Sequence, residues 1–120
     1  MHWKSVLENN MLKWYSKLYV GDSIRSRSRR LRWKISAGIG TLGIYLITIA
    51  ANPNDQFDII STLELQKKAI RKRCPLIIGM ANGKEEAFEL IEKIYTEALL
   101  KGNTADARTW LVERIKGIDS

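Results

Sequence analysis

Apolar residues near the start of the chain fall at Trp3, Leu7, Met11, Trp14 and Leu18, with Lys4, Glu8, Lys13 and Lys17 off that stripe. Steps of four, four, three and four put the stripe on one helix face and predict an amphipathic helix over residues 2–20. Gly21 ends it, because glycine enters the left-handed cap conformation without steric cost. A face with Trp3 and Trp14 beside lysines suits either a membrane surface or, more commonly, packing on the domain's own sheet.

The pattern then changes period. Leu31, Trp33 and Ile35 alternate with Arg30, Arg32 and Lys34, which predicts a half-buried strand with a basic outer face over 30–37. That strand runs into Ile35–Ala51, ISAGIGTLGIYLITIAA, the longest uncharged run in the chain. At 17 residues it sits at the short limit for crossing a bilayer. Glycines crowd its first half and weaken a helix, while Ile, Tyr and Thr in its second half favour a strand. A turn around Gly40–Gly43 and a fully buried strand over 43–51 are therefore expected. A single membrane span over 35–51 is the competing expectation. It draws on the apolarity of the run and its positive N-terminal flank, and would give an inner-membrane protein with a cytoplasmic N-terminus and a helical C-terminal domain.

Asn52-Pro53-Asn54-Asp55 marks a turn, and the alternation after it predicts a third strand over 56–61, closing a meander. Ser61 and Glu64 form a capping-box pattern ahead of a helix over 62–72, which ends in Arg71-Lys72-Arg73 and is barred from continuing by Pro75. A buried strand follows over 76–81. Asn82 is the expected cap of a long helix with Ala87, Ile91, Ile94 or Tyr95, and Ala98 inward, stopped at Lys101-Gly102-Asn103. Thr104 is the expected cap of a last helix with Ala107, Trp110, Leu111 and Ile115 inward. The fold class is α+β: an N-terminal helix, an antiparallel meander of three strands, a crossover helix to a fourth strand, and two C-terminal helices packed on the sheet. Residues 1–29 form the amphipathic helix and a basic Arg/Ser linker, and 30–120 form one domain.

Composition alters this picture through charge. The chain of 120 residues is 45% hydrophobic and 28% charged, ordinary values for one globular domain, yet its net charge is +7. The excess lies in residues 1–34, where nine Lys or Arg face Glu8 and Asp22, while basic and acidic residues balance in the remainder. A basic front suits nucleic acid, an acidic protein partner or an anionic membrane surface. One cysteine, Cys74, excludes an internal disulfide and fits a reducing, cytoplasmic setting. The first long apolar run starts more than thirty residues in, so no cleavable secretory signal is expected.

Two basic clusters are the candidate contact residues for nucleic acid or a partner. The first is Arg25, Arg27, Arg29, Arg30, Arg32, Trp33 and Lys34; the second is Lys67, Lys68, Arg71, Lys72 and Arg73. Trp33 and Tyr19 lie near enough to offer stacking groups. Candidate chemistry is otherwise thin. Gly38-Ile39-Gly40-Thr41-Leu42-Gly43 matches G-x-G-x-x-G, with Asp58 about twenty residues on, but no helix can follow before Pro53, so a nucleotide site is not expected. Gly79–Gly83 precedes a helix N-terminus, where Glu85 and Glu86 would repel an anion. His2 is the sole histidine and Cys74 has no base to activate it. Metal-ligand spacing is absent. Neither an enzyme nor a cofactor is expected.

The strings IYLITIAANPNDQFDIIS and CPLIIGMANGKEEAFELIEKI resemble a pattern of small bacterial α+β proteins of uncharacterised function, over about residues 44–95. There a strand, an Asn-rich turn and an acidic strand precede a strand and an Ala/Glu helix. The resemblance implies a soluble cytoplasmic α+β fold and supplies no activity, ligand or catalytic residue.

Overall fold

The computed structural model describes residues 12–119, arranged as four strands and four helices. The strands are β1 (Trp14–Val20), β2 (Ile44–Ile49), β3 (Phe57–Ser61) and β4 (Ile77–Asn82), in the sheet order β1-β4-β2-β3. β2 runs antiparallel to β3 and to β4, and β1 lies parallel to β4. The helices are α1 (Ser28–Ser36), α2 (Lys68–Arg73), α3 (Lys84–Gly102) and α4 (Ala107–Asp119). The class is α+β with a mixed sheet.

Helices cover both sheet faces. Ile47, Ile78 and Ala81 pack against Ala87, Ile94 and Ala98 of α3 and Ala107, Trp110 and Leu111 of α4. Ile44, Leu46, Ile77 and Met80 pack against Ile24, Leu31 and Ile35, with Leu65 beside them. Being enclosed on both sides explains why β2 and β4 read as unbroken apolar runs. Gly79 lies at the centre, opposite Tyr19 on one side and Ile47 on the other. A Cβ there would sit 2.9 Å from Ile47 Cδ1 and 3.3 Å from the Tyr19 carbonyl, so the three strands close up only around a glycine.

The expected strands over 43–51, 56–61 and 76–81 are present as β2, β3 and β4, and the two C-terminal helices cover one face. The Asn-Pro turn is closed by Asn52, whose Oδ1 accepts from Asn54 N at 2.9 Å. Ser61 Oγ accepts from Leu63 N, but what it opens is a 3-10 turn, Thr62–Gln66, before α2. Asp106, not Thr104, caps α4 directly, accepting from Thr109 N at 3.1 Å.

Two elements differ from expectation. The N-terminal helix over 2–20 is not formed at Trp14–Val20, which is β1; residues 2–11 of that prediction lie outside the described residues. Its cause lies in the spacing: Trp14 and Leu18 differ by four, which is on one face for a strand as well as for a helix. Tyr15 and Tyr19 take the opposite face, and Trp, Tyr and Val favour the extended form. The strand over 30–37 is instead α1, so the three-strand meander is not formed and β4 lies between β1 and β2. Leu31 and Ile35 are buried one helical turn apart, and Trp33, which a strand would have buried with them, is 66% exposed. β1 and the 3-10 turn Asp22–Arg27 belong to the same sheet and core as the rest.

Ile35–Ala51 is divided among the end of α1, a loop and β2. Gly38 and Gly43 hold the loop with φ of 83° and 81°. Among the described residues no helix is long and apolar enough to cross a membrane.

Candidate nucleic-acid interface

α1 grows directly out of the 3-10 turn Asp22–Arg27, with Ile24, Leu31 and Ile35 as its buried anchors. Its outer surface carries like charges at helical spacing, such as Arg30 with Lys34, a pair unfavourable by about 0.2–0.5 kcal/mol. Burying Leu31 and Ile35, at roughly 1.5–3 kcal/mol each, outweighs that repulsion.

The end of α1 is closed by backbone bonds from Ala37 N to Trp33 O (2.9 Å) and Ile39 N to Lys34 O (2.9 Å). Two carbonyls beside them are taken by Arg71 of α2. Its Nη1 donates to Ile35 O at 3.0 Å and its Nη2 to Ser36 O at 2.6 Å, with a longer approach of Nη1 to Leu65 O. A guanidinium is favoured at the negative end of a helix, and its fork reaches two acceptors at once. This clamp brings the second basic cluster beside the first.

Arg29, Arg32, Trp33 and Ser36 stand on one face of α1 at steps of three, one and three, and line a groove of about 340 Å³ whose other wall is Trp14 of β1. Trp14 is held: its Nε1 donates to Ser36 Oγ at 3.1 Å, and the Arg32 guanidinium lies 5.2 Å from its ring centroid. Trp33 keeps most of its ring in solvent.

The two sheet faces differ in charge. The 3-10 turn, α1 and α2 carry Arg25, Arg27, Arg29, Arg30, Arg32, Lys34, Lys68, Arg71, Lys72 and Arg73 against Asp22. α3, on the opposite face, carries Glu85, Glu86, Glu89, Glu92 and Glu97 against Lys84, Lys93 and Lys101. The excess charge noted in the sequence is thus concentrated on one layer.

Of the candidate contact residues, Arg29, Arg32 and Trp33 meet in the groove. Arg27 and Arg30 are exposed beside it, with Lys34 half-exposed; Lys67, Lys68, Lys72 and Arg73 are exposed along and next to α2. Arg25 pairs with Asp22 and lies by the crevice with Glu86 and Glu89, away from the groove. Arg71 is committed to the helix end. Tyr19 is not available for stacking: it is half-buried on the other sheet face, donating to Glu97 Oε1 at 2.7 Å. Burial, together with that bond, raises its pKa well above the ordinary phenol value. Trp14 and Ser36 belong to the groove although the sequence did not single them out for it. Trp14 was assigned to a helix face, and the strand assignment of 30–37 hid the one-turn relation between Arg32 and Ser36.

The remaining motifs resolve structurally. Gly38–Gly43 joins a helix to a strand, so no helix N-terminus follows it to receive a phosphate. At the start of α3, Glu86 fills the anion position itself, its Oε1 accepting from Asn82 N (2.8 Å) and Ser23 Oγ (2.8 Å) and its Oε2 from Ser23 N (3.3 Å). Burial opposes ionisation of Glu86, but these hydrogen bonds outweigh it and hold the carboxyl below its ordinary value. Burial pushes the Cys74 thiol up, away from the reactive thiolate. Among the described residues no three His, Cys, Asp or Glu side chains gather as metal ligands. Compared with protein-family models, curated proteins and solved structures, the chain has no significant match in any of the three.

Proposed function

We propose that this is a non-catalytic nucleic-acid-binding protein of the cytoplasm that seats a phosphate backbone on the cationic layer of α1 and α2. The observation that carries this is the groove in which Arg29, Arg32 and the exposed Trp33 face the held Trp14. Phosphate recognition calls for clustered guanidinium and ammonium groups, and an adjacent exposed ring adds a stacking surface.

The test is anisotropy of a labelled oligonucleotide with the full chain. Affinity should fall steeply as salt rises, each neutralised phosphate contributing about 0.7–0.9 to the slope of log affinity against log salt. Arg29→Glu and Arg73→Glu should each weaken binding, and Glu92→Lys on α3 should not strengthen it to a comparable degree. Absence of binding at low salt refutes the proposal. A second interpretation, docking on an anionic membrane surface, is favoured by Ile39, Leu42 and Leu63, which are exposed beside the same layer, Leu42 to 87%. Sedimentation with phosphatidylserine vesicles that Leu42→Glu abolishes would support it in place of nucleic acid.

A further inference from the structure

The two tryptophans of the groove are in different states, and the difference bears on the kind of nucleic acid that fits. Trp14 is fixed at its nitrogen by Ser36, and Arg32 lies over its ring. Trp33, one residue on from Arg32, is 66% exposed in a helix whose inward positions, Leu31 and Ile35, are already filled. Its ring is open to a ligand, and Arg29 and Arg32 line the same groove.

Duplex nucleic acid hides the faces of its bases in the stack and offers only their edges in the grooves. Unpaired bases offer their faces, and aromatic side chains beside a cationic track are the usual means of holding them. α1 is also poorly placed as a groove-reading helix. It is about 14 Å long, and its N-terminal end continues into a 3-10 turn anchored by the buried Ile24. The bulky Trp33 shares the surface that would have to enter the groove. The groove, about 340 Å³, is open to solvent along its length, as a passing strand requires.

Resting on the proposed nucleic-acid binding, we infer that the site takes a single strand, with one unpaired base stacked on Trp33 and the flanking phosphates on Arg29 and Arg32. RNA and DNA single strands share this chemistry, so both serve as probes.

The experiment measures binding of the full chain to a labelled 12-nucleotide RNA, the matching DNA and the DNA duplex, at one salt concentration. Either single strand should bind at least tenfold more tightly than the duplex. Trp33→Ala should weaken single-strand binding by about 5- to 150-fold, the range found for loss of one base–aromatic stack, and leave duplex binding unchanged. Trp33→Phe should retain most of the affinity, and because residue 33 faces solvent both variants should keep the wild-type circular dichroism. Ribo- over deoxyribo-oligonucleotide preference, or the reverse, would assign the source and supports the inference either way. Equal or tighter duplex binding, or a Trp33→Ala effect that is absent or the same for both forms, overturns the inference and leaves phosphate binding standing. Failure to bind any of the three probes overturns both.

Discussion

Arg71 and Arg73 sit two residues apart in one basic run, and the structure gives them separate roles. Arg71 donates to two carbonyls at the end of α1, at 3.0 and 2.6 Å, whereas the side chain of Arg73 is exposed and makes no hydrogen bond or ion pair with the described residues. Arg71→Ala removes two charge-assisted bonds, each worth about 1.5–3 kcal/mol when shielded. It also removes a cation from a helix C-terminus, worth about 0.3–1 kcal/mol. The bond to Ser36 O is exposed, so water replaces part of what is lost, and the expected net loss is about 2 kcal/mol. With a urea slope of about 1–3 kcal/mol per molar for a domain of this size, the unfolding midpoint should fall by about 1 M. Arg71→Lys should recover part of this, since a point charge cannot span both carbonyls. Arg73→Ala should leave the stability within about 0.5 kcal/mol of wild type and weaken oligonucleotide binding instead. Urea titration followed by circular dichroism, with anisotropy on the same samples, measures both. The clamp is refuted if Arg71→Ala moves the midpoint no further than Arg73→Ala does.

The sheet centre and the Glu86 staple give two further tests. Gly79→Ala places a methyl against Ile47 and the Tyr19 carbonyl, which have no free space to retreat into, and should destabilise the protein by about 1–3 kcal/mol in a denaturant melt. Glu86 has a folded pKa below its ordinary value of 4.5, so its ionic contribution is present above that value and is lost as pH falls through the lower folded one. The stability gap between wild type and Glu86→Gln should therefore be widest near neutral pH and narrow as pH falls below 4.5 and through the folded value, as followed by urea midpoints across that range; a gap independent of pH would mean that the charge of Glu86 is not what holds Ser23 and Asn82.

Within residues 44–119 the strands and the two long helices were legible in sequence because their signals do not compete, whereas 62–72, read as one helix, is a 3-10 turn followed by the short α2. β2 and β4 are apolar runs too short for buried helices and bounded by turn residues, and α3 spaces Ala87, Ile94 and Ala98 over nineteen residues with acids in its first turn. The first third of the chain was not legible for one shared reason. Trp14 and Leu18 differ by four, as do Leu31 and Ile35, and a separation of four lies on one face in either period. In both segments the deciding evidence is tertiary: β4 offers a parallel edge for β1, and the sheet face lined by Ile44, Leu46 and Met80 needs a helix to cover it.

The same ambiguity explains why the candidate site was visible as charge and not as a constellation. Read as a strand, 30–37 places Arg30, Arg32 and Lys34 outward and sends Trp33 into the core with Leu31 and Ile35. Read as a helix, it turns Trp33 out, sets it beside Arg29 and Arg32, and brings Ser36 to the Trp14 nitrogen. Trp14 reaches that position because its own segment is extended, which sends Trp14 and Tyr15 to opposite sheet faces; in a helix these neighbours would lie only about 100° apart. Both local choices are therefore needed for the groove, and each is made by the sheet between them. A substitution that changes only the charge of this layer should alter binding and leave the fold in place, whereas one at Leu31 or Ile35 should remove the groove by releasing the helix that forms it.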